Sequence, residues 1–491
     1  MQPDAAPPAD AQRRPRGSSA AVLSPTVIAE TVVAAIITLA AVYLFFNGSF
    51  VSSYEALHID FSINWTASNA LRNGDIPYGK TTLAELAAQL GGPTDLIYSQ
   101  LYTSYIQPPT SALHLLPLTE LGWRHATQTY LFLNHAFLFC AVGITLATIR
   151  PTLPVRWVIA GVAVIVALYS QLYMSFSLGQ VDATIFLLLS IAFWGYTKDK
   201  PALTGGAIAC AVAIKIIPGV LLLYLFWRRE YRSVLWACGV GAALMLASVA
   251  YVGIDVYRAF FEDTFPALMK GSTQYSNISF GAMVARLNAP DSFGGLPAVF
   301  SLDEPPTGTK ARLMSMALTF VTLAVAAVVL GIKRRSPEEK RREVPVFEFY
   351  FVISVALLIS SVTWEFYVIW LMPVFLAAFL APGRYLPAGP ARYALLAGFV
   401  IAYVCINYPG DLYLLAPGFS PAESLYHIDR VPGIWAEDKL QLYHNHFDAV
   451  LYLRLPALLF LSGLLATLVV WGRRRPQDFA GVESDSRARA S

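Results

Sequence analysis

Lys198-Asp199-Lys200, an apolar run to Tyr224 interrupted by Lys215-Ile216-Ile217-Pro218, and then Arg228-Arg229-Glu230-Tyr231-Arg232 make up the stretch that decides the fold. Basic flanks stay on the cytoplasmic side of a membrane, so a segment that is basic at both ends must enter the bilayer and return. Its turn carries a cation and a proline. An ammonium at that depth costs about 2.5–3.5 kcal/mol on insertion scales unless an anion compensates it. The stretch reads as a broken helix pair that holds Lys215 near the outer face for an anionic group.

The whole chain agrees. Its 491 residues are 56% hydrophobic and only 14% charged, against about 25% charged in soluble domains. A net charge of +3 and the lack of any nucleic-acid-binding motif argue against nucleic acid as a partner. Cys140, Cys210, Cys238 and Cys405 all fall in apolar runs without ligand spacing, which suits lipid-facing or core side chains. No metal-ligand motif, phosphate-cradling loop or dinucleotide fingerprint appears, so neither a metal nor a cofactor is expected. His444-Asn445-His446 offers two histidines and no third ligand.

Residues 1–24 are rich in Pro, Ala and Arg and read as a disordered cytoplasmic tail, as does the polar stretch 476–491. Between them lies one membrane domain, 25–475. Apolar length and basic flanks place spans near 27–46, 127–148, 157–173, 183–196, 202–214, 218–227, 234–252, 313–332, 347–362, 368–380, 393–406 and 449–471. With about twelve crossings, both termini and every strongly basic loop fall on the cytoplasmic side, including Lys333-Arg334-Arg335 and Arg473-Arg474-Arg475. Residues 47 to about 113, 253–311 and 408–448 then lie outside. The sequence is expected to give an all-α integral membrane protein with interfacial helices in its first extracytoplasmic loop.

Residues able to carry chemistry collect in those outer parts. Phe61 and Trp65 are one helical turn apart and Gly74 is a natural stop, so a short interfacial helix should begin at Asp60. Asp60 is then either its N-cap or a rigidly held general base, with His58 beside it. Pro108-Pro109 opens an apolar stretch too short to cross, which suits a re-entrant or in-plane helix. In Gly179-Gln180-Val181-Asp182, both Gln180 and Asp182 can cap the descending helix or face a ligand. Lys215 can snorkel to the interface or, with a helix N-terminus after Pro218, hold a phosphate. Asn277 and Arg286 lie in the second outer stretch. Trp364-Glu365 sits at a span junction, with Glu365 either a cap or a ligand.

Taken in order, Asp60-Phe61, Gly74-Asp75-Ile76-Pro77-Tyr78, Pro108-Pro109, Gly179-Gln180-Val181-Asp182, Lys215 with Pro218, Asn277-Ile278-Ser279 with Arg286, and Trp364-Glu365 resemble glycosyltransferase family 87, multi-pass enzymes of the GT-C superfamily. The resemblance spans about residues 60–373. It implies transfer of a sugar from a polyprenyl-phosphate carrier to a glycolipid or polysaccharide acceptor, within the cell membrane and on its extracytoplasmic face. By that resemblance Asp60 is the base, and Gln180, Lys215 and Arg286 surround the donor. His58, Asp182, Asn277 and Glu365 complete the expected substrate-binding set. This chain departs from related proteins in having Asn64-Trp65 after the aspartate and Phe366-Tyr367 after Trp-Glu.

The reaction the resemblance implies is an inverting single displacement that transfers a hexose, with mannose the first choice. An arabinofuranosyl transfer would use the same leaving group. From another class, a lipid or solute transporter would also explain a broken helix with a buried cation. A transporter should show repeated halves and polar residues facing each other at mid-bilayer, whereas here they crowd toward one face.

Overall fold

The computed structural model of the chain describes residues 24–54, 56, 58–78, 105–269, 271, 277–288, 309–331, 345–407 and 454–474. The expected tails (apart from Ser24), the basic stretch from Lys333 to Arg342, Arg475, and the histidines His427, His444 and His446 lie outside the described residues. Among the described residues every regular element is helical, and the isolated bridge between Asn277 and Trp364 is the one extended pairing.

The chain opens with α1 (Pro25–Phe45), whose helical path continues through Tyr54. The short helix α2 (Ile59–Asn73) follows. It ends where Gly74 adopts φ +86° and Asp75 N–H returns to Ala70 O at 2.9 Å, the stop the glycine foretold. The proline pair starts α3 (Pro109–Leu113), which gives way to a 3-10 turn over Leu116–Glu120, so this segment is as short as expected. Next come α4 (Trp123–Ile149), α5 (Val155–Ala167), α6 (Ser170–Leu178), α7 (Asp182–Thr197) and α8 (Pro201–Ile214). After the break come α9 (Val220–Trp227) and α10 (Tyr231–Val252), then α11 (Phe280–Asn288), α12 (Thr309–Leu330) and α13 (Pro345–Ile359). The chain closes with α14 (Met372–Leu380), α15 (Pro390–Asn407) and α16 (Leu455–Arg474).

Each of the twelve expected segments is helical in its described residues. Six are long and apolar enough to cross a membrane (the first helix, α4, α10, α12, α15 and α16), or seven if α5 and α6, bent by 53°, count as one span. The other five are apolar helices of 10–17 residues. The protein is therefore a membrane protein of all-helical build. Large apolar side chains such as Leu39, Leu246 and Val328 point outward, where lipid can cover them.

Two local features arrange the bundle. The break between α8 and α9 falls where the sequence puts it: Pro218 has no N–H to give Ile214 O, so the helix ladder cannot run through. Lys215 turns extended (φ −138°, ψ 132°), and a 3-10 turn over Ile217–Gly219 restarts the chain. α8 also packs directly on α10 at Gly205, where a Cβ would stand 2.1 Å from Ser233 O. Only glycine allows that approach.

At the centre lies the 3-10 segment Glu365–Leu371 running into α14, with nearly every side chain buried. A helix that is apolar all round belongs in the interior. At the far end of α9, Arg228, one of the basic flank residues, is only 1% exposed. Its Nε donates to Glu348 Oε1 at 2.7 Å, Tyr224 OH donates to the same oxygen at 2.7 Å, and NH1 reaches Gly331 O at 3.2 Å. Arg229 is exposed and keeps the flanking role.

Candidate active site

The start of α2 is held against the loop that joins α6 to α7. His58, in the left-handed region at φ 52°, gives its N–H to Ser177 O at 3.0 Å, and its Nε2–H reaches Ser53 O at 2.6 Å. Gly179 ends α6 at φ +69°, and a Cβ there would lie 2.4 Å from the Cβ of Phe61. The two backbones can meet because this residue has no side chain. Phe61 in turn stacks on Tyr130 of α4, ring centroids 4.4 Å apart.

That contact brings four of the expected residues into one chain of bonds. Gln180 Nε2 donates to Asp60 Oδ2 at 2.6 Å. Lys215 Nζ donates to Gln180 Oε1 at 3.2 Å and to Asp182 Oδ1 at 3.0 Å. Ser175 Oγ reaches Asp182 Oδ2 at 3.4 Å. On its remaining side the ammonium lies 3.8 Å from the centre of the Tyr367 ring, with Phe366 and Trp370 at 5.8 and 5.9 Å. A desolvated ammonium over aromatic faces gains about 2 kcal/mol. The anion that compensates Lys215 is therefore the protein's own Asp182, and both are buried.

The two carboxylates differ in kind. Asp182 is fully buried and engaged through both oxygens. Asp60 is partly exposed, and its Oδ1 takes no hydrogen bond from a described residue. Burial pushes the Asp60 carboxyl up to about 6, helped by the Asp182 charge and opposed by the Gln180 hydrogen bond and the Lys215 charge. A carboxylate poised near neutral, with one oxygen open, is equipped to take a proton. Neither aspartate is an N-cap: α2 is headed by His58 and α7 by Val181.

A second group stands beside the first. Asn277 Oδ1 accepts from Ser279 N–H at 3.1 Å and Thr363 N–H at 2.9 Å, and Ile278 N–H binds Thr363 O at 2.8 Å. Ser279 Oγ accepts from Ala282 N–H at 3.2 Å in the first turn of α11. These bonds tie α11 to the strand-like residues just before Glu365. Glu365, fully buried, pairs with Arg454 at the start of α16. Arg286 lies on α11, and its side chain is outside the described part of that helix.

Asp60, Gln180, Asp182 and Lys215 thus come together, while Asn277 and Glu365 brace the segment that carries Tyr367. Sequence reasoning missed Arg454 and the aromatic cage. The signal for Arg454 was a lone cation inside an apolar run, which is costly unless paired. Phe366-Tyr367, noted only as a departure, supplies the ring under Lys215.

The sequence model of glycosyltransferase family 87 matches residues 105–361. The chain belongs to this family. Among curated relatives of the family 87 chain is a polyprenol-phosphate-mannose-dependent alpha-(1-2)-phosphatidylinositol mannoside mannosyltransferase of Mycolicibacterium smegmatis, 23% identical over 282 residues. That match covers 55% of this chain and 60% of the relative, less than two thirds of its length. Among solved structures, ArnT from Cupriavidus metallidurans in the apo state aligns with a TM-score of 0.38 at 14% identity, over 92% of this chain and 79% of that one. The same protein bound to undecaprenyl phosphate gives 0.36 at 12% identity, over 93% and 80%.

Proposed function

We propose that this family 87 protein transfers a sugar, mannose first among hexoses, from a polyprenyl-phosphate donor to a glycolipid or polysaccharide acceptor on the extracytoplasmic side of the cell membrane. The observation that carries the reading is the Asp60 carboxylate, fixed through one oxygen by Gln180 and, among the described residues, open at the other. The acceptor hydroxyl gives its proton to Asp60, and its oxygen attacks the anomeric carbon. The bond from that carbon to the phosphate oxygen breaks, leaving its electron pair on the polyprenyl phosphate, with inversion at the sugar. The leaving group needs positive charge rather than a proton, and Arg286 on α11 is assigned that task. Asp182 is the counter-ion of Lys215, and Asn277, Glu365 and His58 hold the walls. The donor named for the mycolicibacterial relative supports mannose, and membership of a glycosyltransferase family speaks against a transporter. The basic loops support cytoplasmic termini.

Purified protein in lipid, given labelled polyprenyl-phosphate mannose and a mixed lipid extract, is expected to move label into a glycolipid or polysaccharide fraction. Label that stays on the donor with every extract, or moves only from an arabinose donor, overturns the mannose reading. Because the base must be ionised, kcat/KM should fall as the pH drops through about 6. A flat profile from pH 5 to 8 would remove Asp60 from that role. Gly179→Ala should force α2 away from Gln180, and a displacement of that size costs about 10²-fold in turnover. Turnover unchanged at equal protein level would show that the close approach is not needed.

A further inference from the structure

We infer that Lys215 is a positioning residue: it turns the Gln180 carboxamide so that its N–H faces Asp60, and it acts on the reaction through that amide rather than by gripping the donor phosphate. The inference rests on Asp60 being the base. A carboxamide has an oxygen that only accepts and a nitrogen that only donates, and an ammonium only donates. With Lys215 Nζ 3.2 Å from one end of the amide, that end must be oxygen, so the NH2 is presented to Asp60 Oδ2 at 2.6 Å. The flipped amide would set NH2 against the ammonium and C=O against the carboxylate, two repulsions in place of two bonds.

Three observations set Lys215 apart from a phosphate ligand. Its N–H groups already face Asp182, Gln180 and the Tyr367 ring. It is 3% exposed, and Phe366, Tyr367 and Trp370 close the approach from their side. Charge points the same way: one ammonium between two ionised carboxylates leaves a net negative group, which repels a phosphate.

The groups that bear on Asp60 come from several elements. Lys215 and Asp182 act from the ends of α8 and α7. Tyr130 of α4 and Tyr367 of the 3-10 segment face the same carboxylates. His58 precedes Asp60 with its Nε2 on Ser53 O, and the Arg72–Glu120 pair lies at the far end of α2.

The test uses the full chain in lipid and two changes. Gln180→Met cuts the link while leaving the Lys215–Asp182 pair intact. The double variant Lys215→Met with Asp182→Asn removes both buried charges together, so no unpaired ion is left to unfold the protein. Each should lower kcat about 10-fold or more, leave donor KM within about threefold, and move the acid limb of the pH profile up by about one unit. All three changes combined should be no worse than either alone, as for groups acting in series. Donor KM raised tenfold in the Lys215→Met, Asp182→Asn protein, with the acid limb unmoved, would make Lys215 a donor ligand and overturn the inference. The infrared carboxyl band of Asp60, assigned by its loss in Asp60→Asn, gives the same titration without substrate. If the unmodified protein transfers no sugar, the functional reading fails, while an upward shift of that band in Gln180→Met still supports the positioning role and an unmoved band still refutes it.

Discussion

Asp60→Asn is expected to lower sugar transfer by about 10²–10⁴-fold, the usual worth of a positioned base, in a protein that folds at least as well as the original. The asparagine can still take the Gln180 N–H through its oxygen, so the geometry survives and only the capacity to hold a proton is lost. The stability side follows from the sign of the shift. The folded state raises the carboxyl from its ordinary value to about 6, so it favours the neutral form. The stabilisation that a neutral Asp60 enjoys is complete at acid pH and is lost as the pH rises through about 6. At neutral pH the ionised group therefore burdens the fold, by up to about 3 kcal/mol and by less where water reaches it. Removing the charge should leave the melting temperature at pH 7.5 unchanged or higher, and the gap between variant and parent should narrow by about half at pH 5 and close as the pH falls below about 4. Near-normal turnover in Asp60→Asn would reduce Asp60 to a structural residue.

Asp182→Ala should have the opposite character. Asp182 and Lys215 are both buried, so cutting back the carboxylate strands an ammonium in the interior. Losing one partner of such a pair costs about 3–5 kcal/mol, a large part of the stability of a typical domain. The variant is expected to fall sharply in the yield of monodisperse protein after extraction. Adding Lys215→Met with asparagine in place of alanine at 182 should restore the yield without restoring turnover. Equal yields for Asp182→Ala and Asp60→Ala would mean that the ion pair carries no special weight in folding.

Much of this was legible in the residues. Apolar length and basic flanks located twelve apolar segments that are helical where described, because hydrophobic extent is a local property. Pro218 and Gly74 fixed a break and a stop for equally local reasons. Asp60, Gln180, Asp182 and Lys215 could be picked out one by one, but not their pairing. That pairing depends on how α2 lies against the α6–α7 loop, a contact set by packing at Phe61 and Gly179. Two of the cations have internal partners that the sequence does not show. Lys215 was expected to await an anion from outside, and Asp182, 33 residues earlier, already supplies one. Arg228, counted as a cytoplasmic flank, is folded inward onto Glu348, which lies 120 residues further along the chain. Neither pairing has a sequence period to betray it.

The bond between Glu365 and Arg454 bears on how the molecule is made. Glu365 emerges from the ribosome 89 residues before its partner, and it heads the buried segment that carries the ring beneath Lys215. Until α16 has been delivered by the insertion machinery, that carboxylate waits for its Arg454 partner. The Glu365–Arg454 pair can therefore form only after synthesis has passed Arg454, and a chain cut short before it would lack this brace on the segment beneath Lys215.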